Sequence, residues 1–283
     1  MIICEKNLKY YALRLLLYFV LVMVLFSTIF PFLIMIITSL KQDGNIAGIK
    51  ELVPTINFFK NLSLNNYKEV WKSGSFGVYF WNTALVSFVV VIGNIIFDTM
   101  AAYVLSRKNF YGKRMVFLLI LGRMMIPVQV LIIPIFVLVR QLSLYDTLLA
   151  LMLPNLVQGF GIFLMKQYFD GIPKALDEAA IIDGATDSQV LRHILFPIAK
   201  PAIAVLIINT ALTTWNIFLL PLILTQSADK RVLGLGLALY KSQFGVDYVH
   251  SMAASTIAVI PILIVFLLFQ NYIISGLTKG AVK

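Results

Sequence analysis

The chain has 283 residues, of which 60% are hydrophobic and only 13% are charged, and its formal net charge is +10. Soluble globular domains carry about 25% charged residues, so this composition excludes that class and predicts a polytopic membrane protein. In a membrane protein, an excess of Lys and Arg sets topology and contacts anionic headgroups. No basic stripe or recognition motif accompanies it, and we expect no nucleic-acid partner. The single cysteine, Cys4, permits no intramolecular disulfide.

Six stretches are long enough to cross a membrane, because a hydrocarbon core of about 30 Å needs roughly 20 apolar helical residues. They are Leu15–Ile37, Tyr79–Leu105, Met115–Val139, Leu148–Tyr168, Pro201–Leu224 and Ser251–Ser275. The first is too long for a signal-peptide core, and we expect it to remain as a helix. The predicted organisation is an N-terminal helix with an outer loop (1–78), a core of five helices (79–275) that includes a polar loop (169–200), and a tail (276–283).

Positive charge in the short loops predicts the orientation. The loop Ser106–Arg114 carries the cations Arg107, Lys108, Lys113 and Arg114, and the positive-inside rule places it in the cytoplasm. The N-terminus, the polar loop and the C-terminal tail are then also cytoplasmic, and the segments Lys41–Gly77 and Gln226–His250 lie outside. Lysines within Lys41–Gly77 weaken this argument, although long loops count less than short ones.

Asp98 and Arg123 are the two charged residues that fall clearly inside predicted spans, away from the span ends. A charge in lipid is costly and needs a partner. At about 1.5 Å per helical residue, the two lie at similar depths in straight helices two and three. We therefore predict an ion pair between them; the alternative is that each faces a different subunit or a wet cavity.

Polar stripes mark two of the spans. Thr83, Ser87, Asn94 and Asp98 lie on one side of helix two, which should therefore face protein or a pathway rather than lipid. Helix five has a similar polar stripe, formed by Asn209, Thr213 and Asn216, beside Trp215. The candidate substrate contacts are Asn94, Gln158, Asn209, Thr213, Trp215 and Asn216. Hydrogen bonding between helices explains the same stripes and is the favoured alternative.

A polar island, Leu176–Pro197, interrupts the apolar chain between spans four and five. Pro173 suits a first helical turn, Asp177 and Glu178 favour a helix N-terminus, and Gly184 can end that helix. A second short helix is predicted to begin with Asp187 as its N-cap. Two short helices at a bend form a knob on which Glu178 offers a carboxylate to a partner. The alternative is an amphipathic helix at the membrane interface.

These residues carry a resemblance to a known family. Glu178-Ala179-Ala180, Asp183-Gly184-Ala185 and the closing Leu195-Phe196-Pro197 resemble the EAA loop of bacterial ABC importer permeases. Other stretches are similar to the carbohydrate-uptake subfamily and to its MalG-like subunit: Ala101-Ala102-Tyr103, Met125-Ile126-Pro127-Val128-Gln129, Trp215-Asn216, Pro221-Leu222 and the tail 276–283. The resemblance covers about Tyr79 to the C-terminus. Ile217 departs from it, since an acidic residue often stands there.

The resemblance implies an all-α membrane bundle of the type I ABC importer fold, with a cytoplasmic coupling helix. It implies that Glu178, Ala179, Ala180, Asp183, Gly184 and Ala185 form the ATPase-coupling site. The implied partners are a homologous MalF-like permease, two ATPase subunits that bind ATP and Mg, and an extracytoplasmic solute-binding protein. That protein would meet the segment Gln226–His250, for which a plain solvated or re-entrant loop is the alternative. The implied substrate is an oligosaccharide.

The sequence lacks motifs for chemistry of its own. It contains no Gly-x-x-x-x-Gly-Lys-Ser/Thr and no His-Glu-x-x-His, so nucleotide must be held by another polypeptide. Its histidines, His193 and His250, are predicted on opposite sides of the membrane, and no catalytic or metal residues are expected. Two other functions stay open: an importer for a glycerol phosphate or a polyuronate, and an ion-coupled secondary transporter that depends on Asp98.

Overall fold

The computed structural model describes residues 2–42, 62–72, 75–243 and 247–281. Within these ranges the chain is mostly helical. The α-helices are α1 (Ile2–Ser39), α2 (Asn65–Lys72), α3 (Phe76–Gly93), α4 (Thr99–Arg107), α5 (Lys113–Met125), α6 (Val128–Gln141), α7 (Leu148–Met152), α8 (Gly159–Asp170), α9 (Ala175–Ile182), α10 (Asp187–Gln189), α11 (Phe196–Ile198), α12 (Lys200–Trp215), α13 (Leu219–Leu224), α14 (Leu233–Gln243) and α15 (Tyr248–Ala281). Segments of π-helix, Asn94–Asp98 and Val190–Leu195, join α3 to α4 and α10 to α11.

Four helical segments are long and apolar enough to cross a membrane. They are Leu13–Ser39, Phe76–Arg107, Leu148–Asp170 and Tyr248–Tyr272, and they match the first, second, fourth and sixth predicted spans. Two bent helix pairs raise the number to six if each pair is one span. The helical membrane bundle predicted from the sequence is therefore confirmed.

The third and fifth predicted spans are not straight helices. α5 and α6 meet at 103°. The break follows from Pro127, which disfavours helical geometry in the residue before it; Ile126 is accordingly extended, with φ −85° and ψ 116°. The main helix of the fifth predicted span is α12. It ends at Trp215 rather than at Leu224, because the chain leaves helical geometry before α13 begins. α12 also meets the preceding segment Asp187–Ile198 at 83°.

The chain divides into two compact units at boundaries that differ from the predicted ones. Unit 1 comprises residues 1–73 and 240–257, and unit 2 comprises residues 74–239 and 258–283. Within unit 1, the Asn66 amide donates hydrogen bonds to the carbonyls of Ser39 at 2.8 Å and Lys41 at 2.7 Å. The predicted tail begins inside α15, which continues to Ala281.

Unit 2 has two apolar cores. The first joins α4, α8 and α12 to the polar island, and its fully buried side chains include Met165, Phe169, Val190, Leu195 and Leu206. The second joins α3, α6, α7 and α13 around residues that include Val90, Leu151 and Leu224. Since Val190 and Leu195 belong to the first core, the polar island is packed onto the bundle rather than suspended from it.

Span four is interrupted, and Asp98 fills the interruption. α7 ends at Met152 and α8 begins at Gly159. The fully buried Asp98 accepts a hydrogen bond through Oδ1 from the backbone N–H of Gln158, at 2.9 Å. A carboxylate at this end of α8 also interacts favourably with the helix dipole.

The structure does not show the predicted ion pair between Asp98 and Arg123 as a direct contact. Among the described residues no such pair forms: Asp98 is directed to the start of α8, and Arg123 is exposed in the last turn of α5. The prediction rested on depths along straight helices, whereas span three bends at the end of α5 and span four opens beside Asp98.

Gly161 lies where α8 approaches Asp98 most closely, which leads to a stability prediction. A Cβ atom at Gly161 would overlap Asp98 Oδ2 and lie 2.8 Å from Leu206 Cδ1. We expect Gly161→Ala to destabilise the protein by about 1–3 kcal/mol, as overpacking typically does. Gly122→Ala is the matched control: Gly122 is also helical, a Cβ there meets nothing within 4 Å, and Ala gains up to about 1 kcal/mol in helix propensity. Equal thermal stability of the two variants in detergent would contradict this packing.

Candidate functional site

The first helix of the polar island, α9, is short and has a defined end. Asp177 and Glu178 lie in its first turn, where negative charge is favoured. It begins at Ala175, two residues after Pro173. Gly184 follows its end with φ +86°, a left-handed conformation that glycine adopts without a steric penalty. The predicted helix stop at Gly184 is confirmed.

The second helix begins one residue earlier than predicted, because its N-cap is Thr186 rather than Asp187. The backbone N–H of Thr186 donates to Gln189 Oε1 at 2.7 Å, and the Thr186 hydroxyl accepts from the N–H of Gln189 at 3.4 Å. This is a capping box, in which each residue satisfies a backbone group of the other. The Asp187 carboxylate is thereby left for contacts outside the helix.

The polar island has an exposed face formed mainly by α9 and the turn after it. Glu178, Ala179, Asp183 and Gly184 are exposed, whereas Ala180 and Ala185 are half-buried and pack against the first core. The most exposed large apolar side chain on this face is Ile182, which is 85% exposed. The predicted coupling residues thus divide into an exposed group and two alanines that seat the island on the bundle.

The end of α4 holds the first helix of the island through a buried ion pair. The Arg107 guanidinium pairs with Asp177, and the two side chains are only 5% and 9% exposed. Arg107 Nη2 also donates to the carbonyl of Ile172 at 3.0 Å, and the Ser106 hydroxyl donates to Asp170 at 2.7 Å. The sequence identified Arg107 only as a topology signal.

The same end of α4 holds the second helix of the island through Asp187. Lys108 Nζ lies 2.6 Å from Asp187 Oδ1, and the Tyr103 hydroxyl donates to the same oxygen at 2.9 Å. The Lys108 and Asp187 side chains are 43% and 54% exposed. These contacts were also missed, because the residues they join are far apart in sequence.

The polar atoms of two predicted substrate contacts make hydrogen bonds between helical segments. Asn94 is fully buried; its amide donates to the carbonyl of Asn155 at 2.8 Å and accepts from the Thr210 hydroxyl at 3.0 Å. The Trp215 indole N–H donates to the carbonyl of Ala258 at 3.0 Å. Their polar atoms therefore form hydrogen bonds between helical segments. Such bonding was the alternative to substrate contact for both polar stripes.

The remaining candidates have more accessible side chains. Thr213 and Asn216 are exposed, and Asn209 and Gln158 are half-buried. Thr213 and Asn216 donate only to carbonyls within their own helix, at 2.9 Å and 2.8 Å. A role for these four in substrate contact stays a prediction. In the described part of the chain, no three His, Cys, Asp or Glu side chains come together as metal ligands.

Membrane-length helices, bent spans and an exposed two-helix element between spans four and five define a class: a multi-pass helical membrane protein with an exposed polar element between two of its spans. Residues 99–279 match the family model described as "Binding-protein-dependent transport system inner membrane component". The chain belongs to this family, and it is a permease of an ATP-binding-cassette importer.

Relatives and solved structures agree with this assignment. The chain is 34% identical to the arabinooligosaccharides transport system permease protein AraQ of Halalkalibacterium halodurans, over 91% of this chain and 92% of that protein. It is 32% identical to the trehalose/maltose transport system permease protein MalG of Thermococcus litoralis, over 90% and 91%. A chain of a bacterial ABC transporter involved in import of the acidic polysaccharide alginate has the same fold, with a TM-score of 0.79, 23% identity and coverage of 90% and 94%.

Proposed function

We propose that this permease carries a neutral oligosaccharide. The relatives above are named for arabinooligosaccharide and for trehalose or maltose transport. Accessible polar groups towards the C-terminal end of α12 include the hydroxyl of Thr213 and the amides of Asn209 and Asn216, which suit sugar hydroxyl groups. An acidic glycan or a glycerol phosphate would favour cations along the pathway, whereas these three groups are neutral.

We propose further that the permease works with a homologous MalF-like subunit, two ATPase subunits and an extracytoplasmic binding protein. ATP and Mg would be held by the ATPases. The observation that carries the proposal is the exposed face of α9 around Glu178 and Ile182, closed by Gly184. A carboxylate beside a large exposed apolar side chain fits a protein cleft that offers both a cation and an apolar pocket.

The polar island then lies in the cytoplasm, together with both termini. Support comes from its contacts with the basic loop: Lys108 binds Asp187, and Arg107 pairs with Asp177. Basic short loops are typical of the cytoplasmic side. Closure of the ATPases would move the island, and the helices on either side of it, α8 and α12, would move with it.

Purification and reconstitution test this function together. The chain is co-expressed with the permease, ATPase and binding-protein genes encoded beside it, and the complex is purified through a tag on this chain. We expect the ATPases to co-purify, and we expect vesicles to import a neutral oligosaccharide only when ATP and the binding protein are present. Import of that sugar without ATPase subunits, driven by an ion gradient, would contradict the proposal.

A further inference from the structure

Two consecutive cations at the end of α4 hold the two helices of the polar island separately. Arg107 pairs with Asp177 on α9, and Lys108 pairs with Asp187 at the start of α10. The closeness of α4 to the island does not follow from neighbouring positions in the sequence, because the end of α4 precedes Asp177 by about seventy residues. The second span is therefore attached to both halves of the island by side chains alone.

The two attachments differ in character. The Arg107 pair is buried, and Arg107 also donates to the carbonyl of Ile172. Breaking it would leave a buried charge without a partner, which is strongly unfavourable. The Lys108 pair is exposed on both sides, and exposed pairs contribute little to stability. Breaking the first pair therefore costs much free energy, whereas the side chains of the second pair can separate at small cost.

The surroundings of Asp187 favour a contact that is made in one state and lost in another. Its Oδ1 atom receives both the Lys108 ammonium and the Tyr103 hydroxyl. Tyr103 belongs to the first core, and its side chain is fixed there. If the second helix of the island moves away from α4, Lys108 and Tyr103 lose the same acceptor together, and water can replace it for both.

We propose that Lys108 and Asp187, with Tyr103, form a state-dependent latch that transmits movement of the island to span two. The latch makes Lys108 and Asp187 positioning residues for coupling. Arg107 holds α9 on α4, whereas the latch contact depends on the position of the second helix of the island. A contact can drive a conformational change only if its free energy differs between the two states, and this contact meets that condition when the second helix of the island leaves α4. The inference rests on the proposed attachment of ATPases to the island.

A charge swap in the reconstituted complex tests the latch. Lys108→Glu and Asp187→Lys each place like charges together, and the double variant restores an opposite pair. We expect each single variant to lower the amount of solute imported per ATP hydrolysed by about five-fold or more, the low end of coupling between sites. The double variant should recover most of that ratio. Thermal stability should stay near that of the wild type in all three.

Two controls make the result specific. Arg114→Glu reverses another exposed cation of the same basic loop, which forms no ion pair with a described residue of the polar island; it should leave the ratio unchanged. Asp187→Asn keeps the size of the side chain and serves if the reversed charges prevent assembly; it should lower the ratio too. An unchanged ratio in the single variants and in Asp187→Asn would overturn the latch. Failure of the ATPases to co-purify with the wild type would instead overturn the proposed function.

Discussion

Gly184→Ala is expected to reduce ATP-dependent import by about ten-fold while the protein still inserts in the membrane. Gly184 has φ +86° and ends α9. An L-residue in this conformation is disfavoured by roughly 1–2 kcal/mol, and a tenfold rate change corresponds to about 1.4 kcal/mol. The turn would relax into another conformation and would displace the docking face formed by Glu178 and Ile182. Import and solute-stimulated ATP hydrolysis in vesicles measure the effect.

Gly112→Ala provides the matched control. Gly112 has φ +81°, and neither glycine has another atom within 4 Å of an added Cβ. The backbone penalty is therefore the same, but Gly112 lies in the loop before α5, outside the polar island. If both variants import at the same reduced rate, the loss reflects general strain rather than coupling, and the assignment of the island fails.

Removing one charge of the Arg107–Asp177 pair is expected to destabilise the protein by about 3–5 kcal/mol, because a buried charge loses its partner. Arg107→Met and Asp177→Leu should each show this loss in thermal unfolding in detergent. The double variant should lose less than the sum of the two, since neither charge is then stranded. Lys230→Met removes a cation from an exposed pair and should leave the unfolding temperature unchanged.

The unfolding temperatures of these variants show whether the Arg107–Asp177 pair is a buried ion pair that stabilises the fold or a pair that is exposed to water. Single variants as stable as the wild type would mean that the pair is open to water in the protein. In that case, Arg107 would not fix α9 to α4, and the second span would be connected to the island through the Lys108 latch and the apolar contacts of the first core.

The sequence predicts the parts of this molecule that depend on local pattern. Apolar runs of sufficient length locate the spans, and a left-handed glycine after a short amphipathic stretch locates the end of α9. The Pro127 motif was recognised, but the 103° bend beside it was not, because the angle depends on how α5 and α6 pack.

Local sequence pattern does not predict contacts between residues that are far apart in the sequence. An ion pair was predicted between Asp98 and Arg123 because both are charged and lie clearly inside predicted spans. The hydrogen-bond partner of Asp98 is instead a backbone N–H sixty residues away. Arg107 and Lys108 were identified as topology signals, and their acceptors Asp177 and Asp187 as helix-terminal acids. Each identification fits the local chemistry, but only the fold brings these residues together.

The most direct test of the central claim is site-specific photo-cross-linking from position 182 in the native complex. A photoreactive residue replaces Ile182, which is 85% exposed on the docking face, and a second protein carries it at Leu268, which is 67% exposed on α15. We predict that the probe at position 182 cross-links to an ATPase subunit and that the probe at position 268 does not. Cross-linking of position 182 to lipid or to the binding protein, with no ATPase adduct, would contradict the account.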